Sequence, residues 1–294
     1  MSEQIVYLEG AYIPLSEAKI SIMDHGVLYG DGIFEGIRAY NSHVFRFDDH
    51  LKRFEAAAKA IKLNLPVSIE EVKEIVLETC RKNNLENGYI RLVCTRGADG
   101  LGLFPSPKAH PPRLFCIAAQ IALYSSEAYK RGLKVITSQL RRNKATIVDP
   151  QIKSLNYLNN IMASIEANRY GADEALLLNE EGLVTECTGD NVFFVKNGVV
   201  YTPPIWLGTL DGITRKVVIE ICKKLDIEVK EEPFTRFNLL NADEAFLTGT
   251  AAEIIALTEL DGQKIGNGVA GKITLKLLEA FHEYVKKPES GSKI

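Results

Sequence analysis

The chain lacks the marks of a membrane protein, a metal protein or a secreted scaffold. No apolar run in its 294 residues approaches the length of a bilayer span. Its five cysteines (Cys80, Cys94, Cys116, Cys187 and Cys222) are scattered, with no CxxC pair and no metal-ligand spacing. An odd number without a framework argues against disulfides and metal, and points to a reducing cytoplasm. Excess charge is missing too. The formal net charge of −3 gives no general affinity for nucleic acid or anionic membranes. Met1-Ser2-Glu3-Gln4 is polar and acidic, unlike a secretory signal. There is no repeat and no low-complexity tract. What remains, 46% hydrophobic and 25% charged, is the composition of a soluble globular protein, long enough for two domains or one large one.

Periodicity divides the chain into two halves of different rhythm. Residues 5–22 alternate apolar and polar around Glu9-Gly10, which predicts a hairpin. Asp48 is the expected cap of a helix with Leu51, Phe54, Ala58 and Ile61 on its apolar face. Ser68-Ile69-Glu70-Glu71 is a capping box before a second helix carrying Val72, Val76 and Cys80. Strands are expected at 89–96 and 114–121, joined by a Gly- and Pro-rich loop from Gly97 to Pro112. A loop that long is more often functional than idle. Residues 120–128 read as a linker, with Ser125 capping a short helix. Beyond it come a strand at 133–138 and a helix from about Leu155 to Tyr170, stopped by Gly171. Strands follow at 174–179, 183–187 and 192–196, with turns at Glu181-Gly182 and Asn197-Gly198. A helix is expected near 213–225, strands near 227–231 and 244–248, and a last helix over about 272–287. The glycine and serine of the final residues predict a frayed tail.

The chemistry centres on Lys153 and Glu186. Lys153 stands in Lys153-Ser154-Leu155-Asn156-Tyr157, at the expected helix entrance. Glu186 stands in Glu186-Cys187-Thr188-Gly189-Asp190-Asn191, between strand-like runs. A lysine able to form a Schiff base and a carboxylate able to keep a pyridine nitrogen protonated are what pyridoxal 5'-phosphate (PLP) chemistry requires. Two segments suit a phosphate: Gly208 to Thr214, with Gly212 at a helix start, and the small-residue turn Thr248 to Glu253, with the Thr250 hydroxyl. Arg53 borders an apolar helix face, so it either lays its stem over the core or reaches an anion. Tyr89 and Arg91 share one strand face, which is either solvated or a pocket wall. In a helix, Tyr157 would share a face with Lys153.

Together these positions resemble the fold-type IV PLP enzymes, and within them the branched-chain amino-acid aminotransferases. The matching segments, in the family's order, are Asp24–Arg38, His50–Arg53, Tyr89–Arg91, Lys153–Tyr157, Glu186–Asn191, Gly212–Arg215 and Gly249–Glu253. They span nearly the whole chain. The resemblance implies an α/β (α+β) fold with a small N-terminal domain (1–119), the linker (120–128) and a larger C-terminal domain (129–294), the cofactor lying between the domains. It makes Lys153 the Schiff-base lysine and proton shuttle. Arg53, Gly212, Ile213, Thr214 and Thr250 would hold the phosphate, Glu186 the pyridine nitrogen and Tyr157 the phenolate oxygen, and Leu210 would pack on the ring. Tyr29, Phe34, Gly36, Tyr89, Arg91, Tyr124, Thr250 and Ala251 would line the substrate pocket. Leu103 would be donated across the interface of a homodimer, the family's minimum assembly, with hexamers in some members.

Two departures bear on specificity. Many relatives have proline where this chain has Asp211 and Lys272. Cys94-Thr95-Arg96-Gly97 is similar to D-amino-acid aminotransferases, which carry an Arg-x-His carboxylate clamp in the following loop. Here that loop reads Ala98-Asp99-Gly100-Leu101-Gly102-Leu103, without arginine or histidine. The expected activity is therefore transamination between leucine, isoleucine or valine and 2-oxoglutarate, in the cytoplasm. A D-amino-acid aminotransferase, an aminodeoxychorismate lyase and a non-catalytic binder of phosphate ligands are the alternatives.

Overall fold

Glu9 and Gly10 both take positive φ (49° and 93°), and the strands Ile5–Leu8 and Ala11–Pro14 fold back across them. The expected hairpin thus forms but ends at Pro14, where a 3-10 turn, Leu15–Glu17, follows. The computed structural model describes residues 3–106, 110–120 and 125–294, which divide into two units. Among these residues, the first unit runs to Gln120 and also holds Ile152–Asn156 and Val285–Ile294. The second holds 125–151 and Tyr157–Tyr284.

Those two later segments differ from the expectation that all of 129–294 forms one domain, and backbone pairing is the reason. Phe34 N donates to Lys153 O and Leu155 N to Gly32 O, each at 2.9 Å. The tail is not frayed: Gly291–Lys293 pairs antiparallel with His43–Phe45, and Ile294 packs on the core. A Cβ on Gly291 would overlap the Val44 carbonyl, so glycine is what lets this strand lie so close. Part of the expected linker, and Tyr124 with it, lies outside the described residues. Ser125 caps Ser126–Arg131 as expected, accepting from Ala128 N.

The first unit is a seven-stranded antiparallel sheet among the described residues. From one edge it runs Gly291–Lys293, His43–Phe45, Gly32–Tyr40, Gly88–Thr95, Arg113–Ala119, Ile5–Leu8 and Ala11–Pro14. The helices Phe47–Ala60 and Ile69–Lys82 pack on it. Ser68 opens the second with the expected capping box, burying Val72, Val76 and Cys80. The first has Arg46, in a left-handed conformation, at its N-cap. Asp48, expected there, sits in the first turn and pairs with Lys73 at 2.7 Å. Ile33, Ile37, Phe54, Ile90 and Leu92 form the core between, each side chain contributing roughly 1.5–3 kcal/mol. Gly32–Tyr40 is almost wholly buried, so no apolar–polar alternation marks it as a strand.

The second unit's sheet closes on itself. Asn191–Lys196, Glu244–Gly249, Glu253–Leu260, Leu133–Arg141, Glu174–Leu178 and Val184–Cys187 follow in order, and Glu186 pairs back with Asn191. Val199–Thr202 and Val229–Glu231 extend it on one side. Asn197 and Gly198 (φ 51° and 80°) make the expected hairpin turn. The helix expected from Leu155 begins only at Leu158, ends at Arg169, and is followed by Gly171 at φ 67°. Lys153 therefore lies outside the helix, its carbonyl accepting from Phe34 N, and the shared helical face expected for Lys153 and Tyr157 does not exist. Helices Ile213–Lys224 and Lys272–Val285 form where expected.

Candidate active site

Antiparallel register gathers the expected residues of the first unit. Ile33, Glu35 and Ile37 turn toward the helices, so Phe34, Gly36 and Arg38 take the opposite face of the strand. Gly36 pairs with Arg91 and Arg38 with Tyr89, which sets Tyr89 and Arg91 on that same face. Arg91 Nη2 donates to the Tyr89 hydroxyl at 3.0 Å. The Arg91 guanidinium carbon lies 4.6 Å from the Phe34 ring centroid, and Lys153 Nζ lies 4.5 Å from the same centroid. A Cβ on Gly36 would land on the Tyr89 hydroxyl, so the absence of a side chain there makes room for that ring. Five of the expected residues thus gather on one face: Lys153, Phe34, Gly36, Tyr89 and Arg91.

Arg53 comes from the other face and meets Glu35, which the sequence reading did not assign, with His50 on the same carboxylate. Glu35 is fully buried and accepts from Arg53 Nε (2.7 Å), Arg53 Nη2 (2.8 Å) and His50 Nδ1 (2.8 Å). His50 and Arg53 are three apart on a helix, so both reach down to one carboxylate. Burial alone would push the Glu35 carboxyl up. The Arg53 charge and the hydrogen bonds from Arg53 and His50 outweigh it and hold the group well below the usual carboxylate range. Burial lowers His50, opposed by Glu35 and aided by the charges of Arg53 and Lys153.

The long loop is tied down from Asp24–Tyr29. His25 Nε2 is 2.9 Å from Gly100 O, and Tyr29 donates its hydroxyl to Leu101 O at 2.5 Å. Leu103, two residues beyond that tie, is 78% exposed. Arg96 forks onto Asp31 (2.9 and 3.0 Å) and donates to the carbonyls of Ile61 and Lys62.

In the second unit, Glu186 is buried among donors. Its Oε2 accepts from Asn191 Nδ2 (3.0 Å) and Leu210 N (2.9 Å); its Oε1 lies 2.6 Å from Arg142 Nη2. Leu210 is thereby fixed through its backbone. Gly212 caps the Ile213–Lys224 helix without a side-chain hydrogen bond, and Ile213 and Thr214 are buried in its first turn. A Cβ on Gly212 would overlap Asn191 Oδ1, and one on Gly249 would overlap Asp190 Oδ1. Thr250 and Ala251 follow in a tight turn, half-buried. Tyr157, at the start of the Leu158–Arg169 helix, is half-buried too. Sequence reasoning missed Glu35, His50, Arg142 and Asn160, and gave Asn191 no role. Glu35, His50 and Asn191 stand inside conspicuous motifs; Arg142 and Asn160 carry no signal beyond being polar near element ends.

Among the described residues, no cluster of His, Cys, Asp and Glu could hold a metal ion, and no helix is long and apolar enough to cross a membrane. The second unit's donors suit an anion, at the uncapped start of Ile213–Lys224, and a protonated ring nitrogen, at the held Glu186 carboxylate. The comparisons agree with that chemistry. A family model described as amino-transferase class IV matches residues 32–260. A putative branched-chain-amino-acid aminotransferase of Methanocaldococcus jannaschii is 49% identical over 95% of this chain and 95% of its own. A D-alanine aminotransferase of Staphylococcus haemolyticus is 37% identical over 97% of this chain and 99% of its own. The crystal structure of the T.th. branched-chain amino acid aminotransferase with pyridoxamine 5'-phosphate superposes with a TM-score of 0.93 at 40% identity, covering 99% of this chain and 97% of that one. With its fold, its motifs and its relatives in agreement, the chain belongs to the class IV aminotransferases, fold-type IV enzymes that work with PLP on amino acids and 2-oxo acids.

Proposed function

We propose that this chain is a branched-chain L-amino-acid aminotransferase, moving the amino group of leucine, isoleucine or valine to 2-oxoglutarate and back. The observation that carries the reading is the Phe34–Arg91–Tyr89 arrangement. An aromatic face and a guanidinium share one wall, which suits a substrate pair of one apolar and one anionic side chain. Arg91 rests on the Tyr89 hydroxyl when the substrate side chain is apolar, and turned outward it pairs with a distal carboxylate.

When bound, PLP supplies an electron sink for the substrate α-carbon. Arg53, Gly212, Ile213, Thr214 and Thr250 hold its phosphate, the isoleucine through its backbone N–H. Tyr157 donates to its phenolic oxygen, and Leu210 packs on its ring. Glu186, ionised beside Arg142, holds a proton on the ring nitrogen. Lys153 Nζ takes the proton from the substrate α-carbon as a neutral amine and gives it back in the reverse half-reaction. Tyr29 and Ala251 complete the substrate-binding set. Five buried, unpaired cysteines support a reducing cytoplasm. Exposed Leu101, Leu103 and Phe104 support a homodimer at least, with Leu103 serving the neighbouring subunit.

The D-amino-acid reading has the Staphylococcus relative in its favour. Against it, Arg96 is engaged with Asp31 and two carbonyls, and the stretch Ala98–Leu103 after it carries no lysine, arginine or histidine to meet a substrate carboxylate. The test is a donor screen of the purified protein with L-leucine, L-glutamate and D-alanine. L-Leucine and L-glutamate should both turn over at least about tenfold faster than D-alanine. Faster turnover of D-alanine sinks the reading.

A further inference from the structure

Arg142 pairs with Glu186 and is itself spoken for on every arm. Its Nε donates to Gly208 O (3.1 Å), its Nη1 to Asn160 Oδ1 (2.9 Å), and its Nη2 lies 2.6 Å from Glu186 Oε1. Asn160 in turn donates to Thr188 O at 2.7 Å, in the turn between Glu186 and Asn191. Side chains of Arg142 and Glu186 are 8% and 6% exposed, so water screens the pair little. Such an arrangement has a definite electrostatic sense. Glu186 meets a full positive charge on one oxygen and two neutral donors on the other. A carboxylate held that way is a good anion and a poor base.

We propose that Arg142 is a positioning residue for transamination: it keeps Glu186 ionised, so that the proton shared between Glu186 and the cofactor ring stays on the ring nitrogen. The inference rests on the proposed role of Glu186. Without the guanidinium, a buried carboxyl sharing a proton with a pyridine has every reason to keep it and become neutral. Arg142 therefore acts at a distance from substrate, through the carboxylate, by weakening its hold on one proton.

The test uses holoenzyme loaded with PLP labelled with ¹⁵N in the ring, whose resonance reports ring protonation directly. Wild type should show the protonated position; an unprotonated wild-type ring would refute the role of Glu186 itself, separately from that of Arg142. In Arg142→Met the resonance should move toward the unprotonated position, and kcat should fall about tenfold to a hundredfold, the loss of one charge-assisted hydrogen bond. Arg142→Gln serves as the neutral arm if the methionine variant does not fold. Arg142→Lys keeps the charge while losing the fork to Gly208 and Asn160, so its ring should stay protonated. A wild-type resonance in the neutral variants overturns the proposal. So does an equal shift in the lysine variant and the neutral ones, which would make Arg142 a structural strut.

Discussion

Phe34 carries two basic side chains on one ring, Lys153 at 4.5 Å and Arg91 at 4.6 Å from its centroid, and that crowding makes single-atom changes consequential. Gly36→Ala adds one methyl where the Tyr89 hydroxyl now sits. The hydroxyl is the far end of a movable side chain, so the fold should hold, with the melting temperature nearly unchanged. The Arg91–Tyr89 hydrogen bond should not survive the move. A misplaced methyl in a pocket is worth roughly 1–3 kcal/mol, so kcat/KM for leucine and glutamate should fall about tenfold or more. A normal kcat/KM would remove Tyr89 and Arg91 from the substrate pocket. Arg91→Ala separates the two substrates. Glutamate loses a charge-assisted hydrogen bond of roughly 1.5–3 kcal/mol, and leucine loses none. Half-reactions followed by stopped flow should show the leucine-to-glutamate ratio of kcat/KM rising at least about tenfold. Equal losses would assign Arg91 to the α-carboxylate common to both. Lys153→Ala should abolish turnover by many orders of magnitude, because one nitrogen serves two steps. Borohydride should fix the cofactor to Lys153 in wild type and to nothing in the variant.

The Phe47–Ala60 helix shows what an element contributes beyond its residues. Its apolar stripe seats it on the sheet, and that seating delivers His50 and Arg53 to Glu35. The helix was legible from its stripe, but its start was not. A left-handed Arg46 does what Asp48 was expected to do, and no propensity announces that. Lys153 was legible as a motif and misplaced as structure. The segment 153–155 is drawn into backbone pairing by the open edge of Gly32–Phe34, a tertiary partner that local periodicity does not report. A pH prediction follows from the helix. His50 ordinarily titrates near 6.5 and is lowered by burial in the folded chain. Below about pH 6.5 the unfolded histidine binds a proton that the folded one refuses. Stability must therefore fall as the pH drops from there toward the lowered value, by up to about 1.4 kcal/mol per pH unit. Glu35 has the opposite origin and a separate window. Its folded value lies below 4.5, so its contribution is intact above that and lost only in stronger acid. Denaturant melts of the apoprotein should thus lose stability as the pH falls below about 6.5, and His50→Gln should flatten that slope. An unchanged slope would mean that His50 takes up its proton equally in the folded and unfolded chains.

At the scale of the whole molecule, the order of motifs was legible and the closure of the second sheet was not. Glu186 and Asn191 meet across the short turn 188–190, where Cys187 N donates to Asp190 O, and that one local pairing completes the ring of strands. Arg142 differs, since only the folded chain brings it to Glu186. This gives the cofactor residues a global signature that the substrate residues lack. A ligand that binds only the folded chain adds stability by mass action, about 2.7 kcal/mol when its free concentration is about a hundred times Kd. Any variant that weakens PLP binding about tenfold removes about 1.4 kcal/mol of that increment at fixed PLP. The increment, not the melting temperature itself, is the quantity to compare. Arg53→Ala strands the buried Glu35 carboxylate and will destabilise the apoprotein by roughly 3–5 kcal/mol whether or not it touches phosphate. Expressed as holoprotein minus apoprotein, Arg53→Ala should lose most of the increment, and Thr250→Ala part of it. Gly36→Ala and Arg91→Ala should keep it whole. An Arg53→Ala variant with a full increment would show that Glu35, and not a phosphate, is the partner for which that arginine is there.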